Sequence, residues 1–331
     1  MIDLIQNLVM LDGPPGHEEK VRDFIRETVK PFADEVRVDG LGNLLVRKGK
    51  KSEKGLRVML AAHMDEIGLI VTHVAEGGFA RVSNMGGVHG GYAVGQRVRF
   101  LNGAQGVIGH EFEGFAGHRI TLDKLFVDVG ATSVKDCPVQ VGDAAVFDGR
   151  FEAIKGRWTG KALDDRVSVA ALIETLRCLG NSPHELWFVF TVMEEGGRKG
   201  AGPAAFGIDP DVAVALDVLT AGDSPKGYKS PVELGKGPAL KMMDARLISD
   251  PALMRALEGA AKKIRLSVQR AVLKRGATDG SMIQIARDGI PTANLGIPCR
   301  YIHSPVEMVD GRDVEKTVSL LLQFLENPIQ L

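Results

Sequence analysis

The 331-residue sequence predicts an α/β protein with an all-β insertion. Three observations carry that expectation. At both ends of the chain, short apolar runs alternate with segments of helical period, the pattern of a sheet covered by helices. Between about residues 69 and 148 the pattern changes to brief alternating runs separated by turn residues, without a long amphipathic helix. The length itself suits about two domains.

Taken in order, residues 3–10 place apolar side chains at helical spacing, and DGPPG ends the run. Helical spacing resumes over 17–29, where Val21, Phe24, Ile25 and Val29 share a face. Residues 35–47 alternate around the turn DGLGN and predict a hairpin. LRVMLAA at 56–62 is a short apolar run and predicts a buried strand. LIVTHV, FARVS, RVRFL, GVIGH, LFVDVG and AAVF then make up the β-only stretch. Glycine pairs at 77–78, 86–87, 90–91 and 196–197 mark tight connections. Helical spacing returns at 164–179. It is followed by strands at 186–192 and 212–216, helices at 250–264 and 280–287, a strand at 292–297 and a closing helix at 310–325.

Apolar residues at 44% and charged residues at 25% fit a globular chain with material for more than one core, not a disordered one. Lysine plus arginine (41) balance aspartate plus glutamate (42), so no overall basic field draws the chain to nucleic acid or a membrane surface. Cys137, Cys178 and Cys299 form no CxxC pair, which fits a reducing compartment. The start, MIDLIQNLVMLDGPPGHEE, lacks the basic region of a signal peptide, and no apolar run reaches about 18 residues. A cytoplasmic location is therefore expected.

Several metal-ligating residue types share one context. His63 follows LRVMLAA, Glu194 and Glu195 follow LWFVFTV, Asp217 follows VAVAL, and His303 follows the strand around ANLGI. Asp164 opens a helix in KALDDR. In open α/β sheets, ligands gather beyond the carboxyl ends of strands, so these segments converge on one edge. Two histidines and three carboxylates exceed what one catalytic zinc takes. They suit two ions about 3.5–4 Å apart, sharing one carboxylate. Each residue alone has a plainer explanation: a strand-end histidine satisfied by neighbours, an Asp pair capping a helix, a Glu pair in a solvated turn.

The strings AAHMDEIG, KALDDR, FVFTVMEEGGRKGA, ALDV…GDSP, GATDG and RYIHSPVEMVD resemble the tetrahedral, self-compartmentalising dinuclear metallo-aminopeptidases. That family is also labelled cellulase M, endoglucanase or glutamyl aminopeptidase. The resemblance spans nearly the whole chain, DGLGN included. It implies a zinc-peptidase-like catalytic domain with a mixed sheet, formed by residues 1–68 and 154–331. Residues 69–153 would be an inserted, PDZ-like β-barrel serving dimerisation and assembly. It also implies metal ligation by His63, Asp164, Glu195, Asp217 and His303, with Asp164 as the bridge and Asp165 as its alternative. Glu194 would be the general base, and Asp65 would hold the His63 ring. Thr278, Asp279, Arg300 and Tyr301 would contact substrate. His89, His110 and His118 receive no role. The cofactors would be two divalent ions, zinc or cobalt first and manganese as an alternative.

The activity implied is release of N-terminal residues from short peptides, by a water activated between two ions and a Glu base. The partners implied are free-amine peptides and further copies of the chain, in dimers and dodecamers. GPALKMM and GATDGSM carry little charge and suggest a neutral or apolar first residue. A glycoside hydrolase is one alternative. It needs two carboxyls about 5–10 Å apart, does not use the two histidines, and favours more aromatics than the two Trp and three Tyr here. A deacylase on the same metals is another, separated from a peptidase by acceptance of a blocked amine.

Overall fold

The computed structural model describes residues 1–111 and 120–331. The chain begins with helices α1 (Ile2–Val9) and α2 (Glu19–Val29), strands β1 (Glu35–Val38) and β2 (Leu44–Lys48), and strand β3 (Arg57–His63). Six strands follow: β4 (Gly68–Val74), β5 (Ala80–Met85), β6 (Arg97–Phe100), β7 (Gln105–His110), β8 (Leu125–Asp128) and β9 (Ala144–Phe147). A short helix, α3 (Gly90–Ala93), lies among them. Next come β10 (Glu152–Ile154), β11 (Arg157–Gly160), α4 (Leu163–Cys178), β12 (Glu185–Thr191), α5 (Ala201–Ile208), β13 (Val212–Thr220) and β14 (Ala239–Met243). The chain continues through α6 (Pro251–Lys263), β15 (Gln269–Val272), α7 (Gly280–Ile283), β16 (Thr292–Arg300), β17 (Glu307–Asp310) and α8 (Gly311–Leu325).

These strands form one mixed 11-stranded sheet and one closed barrel, in keeping with the expected fold class. The sheet runs β1-β2-β12-β3-β13-β16-β17-β11-β10, with β14 pairing to β16 off this path and β15 pairing to β14. Its centre is parallel: β3 pairs with β12 and β13, and β13 with β16. Alternation along a strand sends successive side chains to opposite faces. Val58, Leu60 and Ala62 of β3 therefore join a core with α1, α2, α4, α6 and α8, while Met59 and Ala61 meet α5 and α7 on the other face. Such two-sided burial explains why the central strands read as continuous apolar runs.

The barrel closes in the order β4-β5-β8-β7-β6-β9 around its own apolar core, which includes Phe100, Val127 and Phe147. Polar ties fix it against the sheet. Arg99 of β6 donates to both Asp12 oxygens, at 3.1 and 2.8 Å. Buried Lys161 donates to Glu66, just before β4, at 2.8 Å. Among the described residues, no helix is long and apolar enough to cross a membrane.

The helix expected over 280–287 stops at Ile283. Arg287 has φ +56° and Gly289 +107°, left-handed conformations that a right-handed helix does not hold. Helix α5 escaped the periodicity because Gly202, Pro203 and Gly207 dilute its pattern.

Candidate active site

The parallel strands deliver the acidic and histidine side chains to one edge. His63 ends β3, and Thr191 at the end of β12 pairs with it in register. Glu194 and Glu195 lie in the turn that follows. Asp217 sits inside β13, which continues to Thr220 beside β16 alone once its pairing with β3 has ended at Ala215. His303 lies three residues beyond β16, in a turn where Tyr301 and His303 take φ of +59° and +65°.

The Asp pair does not act as a helix cap. Asp164 and Asp165 have non-helical backbone angles at the head of α4, with a cis peptide between them, and neither side chain accepts a capping hydrogen bond. Asp164 turns to the histidines instead. Its Oδ1 lies 3.1 Å from His63 Nε2, and its Oδ2 3.5 Å from His303 Nε2. Glu195 Oε1 is 3.0 Å from His303 Nε2. Ligand atoms of His63, Asp164 and Glu195 lie within 4.8 Å of one another, as do those of His63, Asp165 and Asp217. Both candidate bridging aspartates are thus within reach of His63.

Burial shapes the charge of this cluster. Removal from water, with Asp164 alongside, pushes the Asp217 carboxyl up to about 8. Burial and the neighbouring Asp217 push Asp165 well above the carboxylate range. Glu194 is raised by burial too, an effect eased by His63 and reinforced by Asp217. Burial opposes charge on His303, yet its hydrogen bond to Glu195 carries it to about 10. Asp164 goes the other way: burial raises it, but the His63 hydrogen bond and the charges of both histidines hold it below its ordinary value.

Backbone clamps aim these groups. The Asp65 carboxylate accepts the N–H groups of Glu194 and Glu195, both at 3.0 Å, and Asp65 Oδ1 is 3.4 Å from His63 Nδ1. Buried Asn43 from the DGLGN turn accepts from Val192 N–H at 3.0 Å and donates to the Gly200 carbonyl at 2.9 Å. Glu18 accepts from Met193 N–H at 3.0 Å. The turn carrying the Glu pair is thus held from three sides. Glu307 does the same across the site, accepting the N–H groups of Asp164 and His303, both at 2.8 Å. Sequence reading did not single out Glu18, Asn43 or Glu307. The hints were the DGLGN turn that carries Asn43 and the HSPVE string, with a carboxylate four residues after a candidate ligand. Glu307→Ala should unseat both clamped residues and weaken metal affinity about 10- to 100-fold. Titration of apoprotein with zinc checks this; unchanged affinity would make Glu307 a bystander.

The remaining candidates are spread more widely. Thr278 lines a cavity of about 220 Å³ beside the cluster, together with Asp164, Asp217, Lys241, Arg275 and His303. Asp279 is buried behind it and accepts from the Thr191 hydroxyl at 2.5 Å. Arg300 is drawn to Asp223 by two hydrogen bonds of 2.7 Å, and Tyr301 is exposed. Among the described residues the His110 ring donates to the neighbouring Glu111 carbonyl at 2.8 Å, and His118 lies outside the described residues. Met242 and Met282 pack against the hydrophobic cores.

The donor set suits borderline divalent ions. Two imidazoles and four carboxylates, those of Asp164, Asp165, Glu195 and Asp217, converge in overlapping groups. Neither buried oxygen of Asp165 makes a well-formed hydrogen bond, so polar capacity is left for a cation or its neighbours.

A profile of the M42 glutamyl aminopeptidase family matches residues 42–320. The lysyl aminopeptidase of Pyrococcus furiosus is 36% identical, over 98% of this chain and 96% of its own length. An aminopeptidase from the archaeon Desulfurococcus kamchatkensis superposes with a TM-score of 0.93 at 39% identity, covering 98% of this chain and 94% of that one. The TET1 peptidase of Pyrococcus horikoshii, which can assemble into a tetrahedron or a large octahedral shell, superposes with a TM-score of 0.86 at 32% identity, covering 100% and 99%. Fold and site together define a peptide hydrolase that uses divalent metal. The chain belongs to the M42 glutamyl aminopeptidase family.

Proposed function

We propose that this chain removes N-terminal residues from short peptides with the help of two divalent ions. One observation carries the reading: two histidines and a set of carboxylates converge at the strand ends beside a cavity, with Glu194 next to them. His63, Asp164, Glu195, Asp217 and His303 would hold the ions. Asp164 would be the shared ligand, because its two oxygens divide between the histidines, Oδ1 3.1 Å from His63 Nε2 and Oδ2 3.5 Å from His303 Nε2. When bound, the ions supply Lewis acidity toward a water and toward the scissile carbonyl. Glu194 takes the proton from the attacking water and delivers it to the departing amine nitrogen. Its carboxyl accepts no hydrogen bond from the described residues and stays free for that exchange. Asp65 positions Glu194 and Glu195 through their backbone and steadies the His63 ring.

The test is product analysis over time. Protein loaded with cobalt or zinc should shorten a hexapeptide one residue at a time from its amino end, and chelator should stop it. Release of sugar from carboxymethyl-cellulose with peptides left intact would contradict the reading.

The cavity suggests what the first residue is. Its wall looked neutral in sequence, but it holds Lys241 and Arg275. Lys241 is paired with Asp244 at 2.7 Å, whereas Arg275 has no ion pair among the described residues. An unpaired guanidinium facing a side-chain pocket favours a carboxylate there. Arg275→Ala should therefore lower kcat/KM for an N-terminal glutamate, relative to leucine, about tenfold. Glutamyl and leucyl anilides measure this directly; an unchanged ratio would show that the cavity does not read charge.

Self-association is part of the same reading. The barrel region exposes Val107, Val134 and Val141, apolar surface of the kind that copies of a chain bury against each other. The shell of the Pyrococcus horikoshii relative supports a comparable assembly.

A further inference from the structure

The barrel reaches into the site through its glycine loop. Gly87 N–H donates to Glu195 Oε2 at 3.2 Å. A Cβ on Gly86 would come 2.6 Å from that same oxygen, and one on Gly87 would run into the His303 ring. Only glycine lets the backbone approach two candidate metal ligands this closely. Val88 is buried beneath the loop, and the chain then turns His89 and Tyr92 outward. The His89 ring lies 6.3 Å from the His303 ring, centroid to centroid, with 33° between planes. Tyr92 meets His89 edge to face at 6.0 Å. A row of three rings thus leads from the edge of the cluster to solvent.

This row and the side-chain cavity flank His303. The cavity, walled by Thr220, Lys241, Leu273 and Thr278, has a volume of about 220 Å³, room for one side chain. A peptide whose first side chain fills it must run its remaining residues away from the cluster along another wall. The His89 carbonyl accepts from the Tyr92 and Ala93 N–H groups, but its ring makes no hydrogen bond or ion pair with the described residues, and that exposed ring offers both a donor and an acceptor.

We propose that the glycine loop forms the leaving-group wall of the site, and that His89 hydrogen-bonds the peptide backbone just beyond the scissile bond. The proposal rests on the aminopeptidase reading above. It gives the barrel a direct part in binding substrate, in addition to any part in assembly. It also assigns a role to His89, which the sequence left as an ordinary loop residue.

The test compares two substrates with the same first residue: an aminoacyl p-nitroanilide, which has no amino acid beyond the scissile bond, and the matching tripeptide. The ratio of their kcat/KM values, tripeptide over anilide, is measured for the cobalt-loaded wild type, His89→Ala and His89→Gln. One lost hydrogen bond predicts a fall of about tenfold in that ratio for His89→Ala. His89→Gln should recover part of it, because the amide keeps a donor and an acceptor. An unchanged ratio overturns the proposal. So does an equal loss on both substrates, which would place the effect on His303 and the shared centre. Wild-type protein that cleaves neither substrate overturns the aminopeptidase reading, and this proposal with it.

Discussion

Replacing Glu194 by glutamine will reduce peptide turnover about a thousandfold and leave the metal content of the protein unchanged. The substitution keeps size and shape, and removes only the ability to take up a proton and release it. Glu194 is held by its backbone, not its carboxyl. Its N–H donates to Asp65, and its carbonyl accepts from Gly197 and Arg198. The turn should therefore survive, and Glu195 should still face His303. Turnover and bound metal measured on the same preparation separate the roles of the two neighbouring glutamates. Near-normal turnover would remove Glu194 from the proton transfer. Lost metal would make it a ligand instead.

Asp164→Asn should have an effect of similar size by a different route. Asp164 places one oxygen beside His63 and the other beside His303, and an amide donates where a cation needs an acceptor. Loss of the shared ligand should empty at least one position. Forfeiting Lewis acidity worth several kcal/mol should then lower turnover on the order of a thousandfold or more. Metal analysis checks the first half and anilide hydrolysis the second. Full metal content in Asp164→Asn, with loss in Asp165→Asn, would move the bridge to Asp165, which also lies in reach of His63 and Asp217.

Much of this arrangement was legible in the chain because period and chemistry coincide. LRVMLAA, LWFVFTV and VAVAL are buried on both faces, so they read as continuous apolar runs, and the polar residue that ends each run stands out. The barrel was legible because its strands alternate between an apolar interior and solvent. The backbone clamps were not. Glu18, Asn43 and Glu307 accept from the N–H groups of Met193, Val192 and Asp164, all distant in sequence, and a carboxylate that accepts from the backbone looks like any polar residue of a turn or helix start. The approach of Gly86 and Gly87 to Glu195 and His303 was hidden for a similar reason. A glycine pair signals a tight turn, whereas what it touches depends on how the barrel sits on the sheet. Charge on the cavity wall was missed because Lys241 and Arg275 lie in segments otherwise apolar or rich in turn residues, and they meet only in the fold.

In the proposed reaction, metal and protein together require a free amino terminus before the first peptide bond is cut. The measurement closest to it is hydrolysis of paired short peptides, identical except that one of each pair is N-acetylated, by protein stripped with chelator and reloaded with zinc or cobalt. Stepwise release is expected from the free peptides alone, absent in the stripped protein and restored on reloading. Cleavage of the acetylated peptides at comparable rates, or removal of the acetyl group itself, would contradict it and make the same metal cluster that of a deacylase.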